Sequence, residues 1–196
     1  MNKKIFIIVA LLLSIACSMS CSDKKPKYKN RVFEFFLNYN PTWEVKEHVG
    51  SAIVVFFSPR VDESDYFQEI LTISVQDMTK PISLSEYTRS MVEMITAVGQ
   101  QTNTTTSSIL ESVPIKISGK PAHKLVYTLT QYGNPPEFVE AGVSPRIDAE
   151  GGTIQMMLVW TMKESRVYLF TYVAQKDSYD IFVKDIDAMI QSFRFL

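Results

Sequence analysis

Few residues in this chain are of the kinds that do chemistry. It carries two cysteines, Cys17 and Cys21, and two histidines, His48 and His123, in 196 residues. Both cysteines fall in the first 21 residues. Everything beyond them is therefore without a structural disulfide, a cysteine metal site, a CxxC redox pair or a thiol nucleophile. The histidines are far apart, and no HExxH, Gly-x-Ser-x-Gly or P-loop spacing occurs. His48 sits by Gly50 in a turn. His123 shares parity with Leu125, Tyr127 and Leu129, so it is expected on their face of a strand, hydrogen-bonded at a sheet edge. A hydrolase would need a serine with a base beside it, which so little histidine disfavours. Asp62-Glu63-Ser64-Asp65 could offer oxygens to calcium but lacks the glycine and distal glutamate of a dedicated loop, and it reads as a solvated turn. Trp43 could stack on a ligand; the ordinary expectation is a core anchor with its indole N–H satisfied. No catalytic residue, metal site or cofactor is expected.

The amino end carries the clearest signal. Lys3-Lys4 precede about a dozen mostly apolar residues, 5–16, which fit the n-region and h-region of a secretory signal. The run is too short to span a bilayer, which takes roughly 20 apolar residues. Leu13-Ser14-Ile15-Ala16-Cys17 then resembles the lipobox of bacterial lipoproteins, with Ser14 standing where that pattern usually has leucine. The resemblance implies acylation of Cys17, with Cys21 as the alternative. Residues 1–16 thus read as a signal peptide and 17–30 as a lipidated cysteine with a polar tether, which leaves 31–196 as one α+β domain. The tether Ser22-Asp23-Lys24-Lys25-Pro26-Lys27-Tyr28-Lys29-Asn30 is charged and solvated, and its lysines suit an anionic leaflet. Without Lys3 and Lys4 the chain holds 18 basic against 21 acidic residues, a formal charge of about −3. That balance gives no sign of nucleic-acid binding.

The elements that must carry any site are mostly strands. Residues 32–37 and 43–46 are apolar or alternating, and 52–57 is a continuous apolar run that reads as a strand buried on both faces. Residues 70–75, 125–130, 154–162 and 167–173 alternate or run apolar, the last two forming a hairpin across Lys163-Glu164-Ser165-Arg166. One helix opens on the capping-box pair Ser83 and Glu86. It continues through Leu84, Tyr87, Met91, Met94, Ile95 and Val98 and is expected to stop at Gly99. A second follows Asp177 as N-cap, with Tyr179, Phe182, Val183, Ile186, Ile190 and Phe193 as its stripe. The class is α+β: a largely antiparallel β-sheet flanked by helices. Residues 100–108 read as a polar loop, and 131–152, with its glycines and prolines, as a long connection. Its apolar Phe138, Val139 and Val143 are candidate partner contacts.

The order of these landmarks resembles the PsbP family and the wider Mog/PsbP-like fold. The resemblance rests on Tyr39-Asn40-Pro41-Thr42-Trp43, Val54 to Phe57, Thr72-Ile73-Ser74-Val75, Ile82 to Tyr87, Gly119-Lys120-Pro121-Ala122, Val167 to Tyr172 and the closing Ser192-Phe193. It implies an antiparallel sheet flanked by helices, no enzymatic activity, and work through protein contacts. PsbP proteins are extrinsic subunits or assembly factors of photosystem II, other branches are envelope lipoproteins, and one intracellular branch binds the GTPase Ran. The signal-like start argues against that last branch. The expectation is a non-catalytic, membrane-anchored accessory or assembly factor for a membrane protein complex. The alternative is a small-ligand-binding envelope lipoprotein with an enclosed cleft lined by aromatics.

Overall fold

The computed structural model describes residues 26–60, 62, 67–131 except 102–104, and 152–196. Strands β3 (Glu44–Val49), β4 (Ala52–Phe57), β5 (Ile70–Asp77), β6 (Thr105–Ile117), β7 (Lys120–Gln131), β8 (Gly152–Lys163) and β9 (Arg166–Gln175) form one sheet. Their order is β3-β4-β5-β9-β8-β7-β6, antiparallel throughout. A second sheet places β2 (Phe35–Asn38) between β1 (Lys27–Asn30) and β10 (Arg194–Phe195). Helices α1 (Leu84–Gln101) and α2 (Tyr179–Ser192) complete the described elements.

The continuous apolar runs have a simple cause. Successive side chains of a strand point to opposite faces, and here both faces are covered. On β9, Tyr168, Phe170 and Tyr172 enter one core while Val167, Leu169 and Val173 enter the other. On β8, Met157 and Val159 oppose Met156, Leu158 and Trp160 in the same way. The first face is roofed by α2 and the small sheet, through Phe35, Leu37, Ile186, Ile190 and Phe193. The second is roofed by α1, through Tyr87 and Ile95. Phe193, fully buried just past α2, stacks on Phe35 at 5.2 Å and meets Phe170 and Phe195 edge-on at 5.1 and 5.0 Å. Truncating an aromatic in such a setting typically costs about 3–5 kcal/mol.

Several boundaries differ from the sequence expectation. Strand β1 opens at Lys27, inside the stretch read as tether, because Tyr28 turns inward between the lysines and is 8% exposed. The expected strand at 32–37 is a turn followed by β2. Asn30 Oδ1 accepts the N–H groups of Val32 and Phe33, an Asx turn that reverses the chain and leaves Val32 74% exposed. The capping box forms as expected: Ser83 N–H donates to Glu86 Oε2 at 2.8 Å and Glu86 N–H to Ser83 Oγ at 3.2 Å. However, α1 runs through Gly99 to Gln101, a glycine costing an 18-residue helix only about 1 kcal/mol, and Met94 lies off its buried stripe at 51% exposure. Residues 105–108, read as loop, open β6; their hydroxyl side chains suit an edge strand with one wet side. The N-cap of α2 is Ser178 in place of Asp177.

Three phenols are shut into this core. Burial, with smaller contributions from neighbouring acids, pushes Tyr28 and Tyr179 up to about 12 and Tyr172 higher still. An unfolded phenol ionises near 10, so between pH 10 and 12 the native state holds protons that the unfolded chain has lost, and stability falls as pH rises. Urea titrations are expected to show a midpoint that is level up to pH 9 and drops across pH 10–12, with a shallower drop in Tyr172→Phe.

Candidate functional site

Of the residues singled out above, Cys17, Cys21, Phe138, Val139, Val143 and Glu63-Ser64-Asp65 lie outside the described residues. The strands on either side of 132–151 pair at Gln131 and Gly152, so that segment closes the β7–β8 hairpin. Among the described residues no group of three or more His, Cys, Asp or Glu side chains could hold a metal ion. No helix among them is long and apolar enough to cross a membrane.

His123 is one strand inside the edge, because β6 pairs outside β7. It does share the face of Leu125, Tyr127 and Leu129, and its ring stacks on the Trp160 indole at 5.2 Å and 29°. Trp160 in turn donates Nε1–H to Thr88 Oγ1 on α1 at 3.1 Å. Burial holds the imidazole below its ordinary value of 6.5, so the neutral ring predominates at pH 7. Its Nε2 lies 2.9 Å from Ser112 Oγ on β6. A serine beside a neutral imidazole is half of an acyl-transfer dyad. A nucleophile also needs the second ring nitrogen held and donors aimed at an oxyanion, and among the described residues no hydrogen bond holds His123 Nδ1. The arrangement closes one end of the α1 core over Trp160. Sequence reasoning missed Ser112 because it did not place β6 as a strand.

Trp43 is a core anchor, 3% exposed and edge-on to Phe182 of α2 at 5.6 Å. Its indole N–H, expected to be satisfied, has no hydrogen-bond partner among the described residues, since the ring is driven among apolar groups between the β2–β3 turn and α2. His48 is exposed with φ 55, just before the Gly50 turn of the β3–β4 hairpin, where a left-handed backbone lets the chain reverse.

The most elaborate polar constellation surrounds Glu69, which is 3% exposed. Its Oε2 accepts from Ser58 Oγ at 2.8 Å, its N–H donates back to Ser58 Oγ at 2.9 Å, and its Oε1 accepts from Ser178 Oγ. Ser178 caps α2 by position yet makes no side-chain bond to its own helix; its hydroxyl goes to the carboxylate. The end of β4, the start of β5 and the positive end of α2 are thereby clipped together. Both hydroxyls are turned to the carboxylate, and Ser178 Oγ also lies 3.3 Å from the Gln175 carbonyl oxygen.

An open cleft of about 410 Å³ lies where β5 leads into α1, between Met78, Pro81 and Ile82 on one side and Met162, Glu164 and Ser165 of the β8–β9 turn on the other. No aromatic lines it. Among the described residues, the aromatics that an enclosed ligand cavity was expected to recruit are packed into or against the two cores, Phe36 excepted.

Glu69→Ala strips the acceptor from the buried Ser58 hydroxyl and the half-buried Ser178 hydroxyl. A loss on the order of 3 kcal/mol is expected in urea unfolding, with the slope unchanged, and Glu69→Gln should lose about half as much.

No family model matches the chain, and no curated protein matches it by sequence. Solved structures do. The solution structure of cyanobacterial PsbP (CyanoP) from Synechocystis sp. PCC 6803 superimposes with a TM-score of 0.59 at 14% identity, covering 87% of this chain and 92% of that one. LpqN of Mycobacterium tuberculosis, described as involved in cell envelope biogenesis, gives 0.52 at 10% identity, covering 89% and 86%. The Saccharomyces cerevisiae Ran-binding protein Mog1p gives 0.52 at 11% identity, covering 88% and 95%. Identities this low carry the fold alone. The chain has the α+β PsbP/Mog1-like fold that its sequence landmarks resemble.

Proposed function

We propose that this protein is a non-catalytic accessory lipoprotein, acylated at Cys17 or Cys21, that binds or helps assemble a protein complex of the membrane to which it is tethered. The observation that carries this reading is where the first described strand starts. Lys27 is already in β1, ten residues after Cys17 and six after Cys21. Ten extended residues span at most about 35 Å. An acyl chain at either cysteine therefore keeps the domain within one domain diameter of the leaflet, the right distance for work on membrane proteins and a restrictive one for scavenging in the bulk. The signal-like residues 1–16 support export. The fold shared with CyanoP and with an envelope protein adds an analogy.

A small-ligand role is the second reading, and the Met78–Ser165 cleft favours it by size, since ligand sites run from roughly 300 to 1,000 Å³. Its openness is the weaker feature. The two readings separate in a gentle-detergent pulldown of the tagged full-length protein beside a Cys17→Ala, Cys21→Ala double variant, with intact-mass analysis of each. The accessory reading expects a diacylglyceryl mass and a recurrent membrane-complex partner that the double variant loses. A lipidated protein that brings down a small molecule and no partner would favour the second reading, and an unlipidated wild type would remove the anchor.

A further inference from the structure

The small sheet has an outer face, and its charged side chains are all of one sign. Tyr28, Phe35 and Leu37 point into the core, so Lys27, Lys29, Phe36 and Arg194 point away from it. Register puts Lys29, Phe36 and Arg194 in one row across β1, β2 and β10. The three cations are exposed and Phe36 is half-buried among them, with Lys27 Nζ 4.3 Å from the centre of its ring. The ten residues of this sheet include no acid, although the chain beyond its signal-like start is net acidic. At one end of the face the β1–β2 turn presents Arg31 and the 74% exposed Val32, and the acid of that turn, Glu34, is paired with Lys163 at 3.3 Å. An aromatic set among cations, beside an apolar tip, is the composition of a surface that meets phospholipid headgroups.

We infer that the outer face of the β1-β2-β10 sheet docks on an anionic phospholipid surface and fixes how the domain stands on its membrane. Two observations select lipid as the occupant: charge complementarity, and the position of the tether. Lys24 and Lys25 precede the face directly in sequence, and Lys27 both opens β1 and is part of the face. The inference rests on the anchor proposed above, because acylation at Cys17 or Cys21 brings this end of the domain nearest the leaflet. Attraction of this kind is worth about a factor of five per basic residue near the surface and is screened by salt.

The test places an environment-sensitive fluorophore on Val32→Cys, or on Thr106→Cys at the far end of β6 as control. Whichever of Cys17 and Cys21 carries no acyl chain in the intact mass is replaced by serine, both if neither does. The protein is examined on vesicles of phosphatidylethanolamine with 30% phosphatidylglycerol and on phosphatidylcholine vesicles. The expected result is a blue shift at position 32 on anionic vesicles alone. High salt should abolish it, Lys27→Gln with Lys29→Gln should weaken docking about 30-fold, and position 106 should not respond. An aqueous signal at position 32 on anionic vesicles overturns the docking face, as does an equal shift on both lipids. A shift that appears only when membrane proteins are present assigns the face to a protein partner and also overturns it. The intact mass separately decides the anchor, so the two failures are told apart.

Discussion

Strands β8 and β9 carry large side chains on both faces, and that forces the rest of the architecture. Water cannot be left against Tyr168, Phe170 and Tyr172 on one side or against Leu158, Trp160 and Leu169 on the other, so the seven-stranded sheet must be covered twice. One helix suffices for the α1 side. On the opposite side α2 alone leaves the end nearest β10 open, and the short sheet of β1, β2 and β10 fills it by bringing Phe35 against Phe193 and Tyr168. The first and last described strands, β1 and β10, are thus recruited to the same cover. Four residues of a lysine-rich stretch become β1 because Tyr28 and the backbone of Phe35–Asn38 give them something to bury and to pair with.

That same requirement uses up aromatic and polar groups inside the fold. Aromatics that might have lined a cavity are consumed in the two cores, and the buried acid Glu69 is consumed in joining α2 to the sheet. Ser112 and His123 meet on the side away from α2, but the imidazole is held by Trp160 and not by a carboxylate. Outside the cores, the described residues leave two features of note: the cleft beside the β8–β9 turn and the basic face of the small sheet.

Features that depend on local pattern were legible in the sequence. The α+β class follows from strands with period two beside stripes with period 3.6. The capping box at Ser83 and the hairpin at residues 163–166 are short-range chemistry, and the order of landmarks matched the observed fold. Features that depend on tertiary partners were not legible. β1 looks like solvated tether until β2 lies beside it. β6 mixes serine and threonine with Pro114 and a bulge near Leu110, and it becomes a strand because β7 supplies the ladder. The Ser112–His123 contact and the Glu69 clip each join residues at least eleven apart, through strands whose pairing periodicity does not report. Val32 reads as strand core, and only the Asx turn at Asn30 shows it to be an exposed tip.

On the proposed reading, the basic face of β1, β2 and β10 is held against the membrane that carries the acyl anchor. Neutron reflectivity from the mature protein on a supported bilayer containing phosphatidylglycerol measures this directly. The account expects a protein layer in contact with the headgroups, about one domain thick, with no water gap between them. A layer standing off by tens of ångströms, or no bound layer at all, would contradict it.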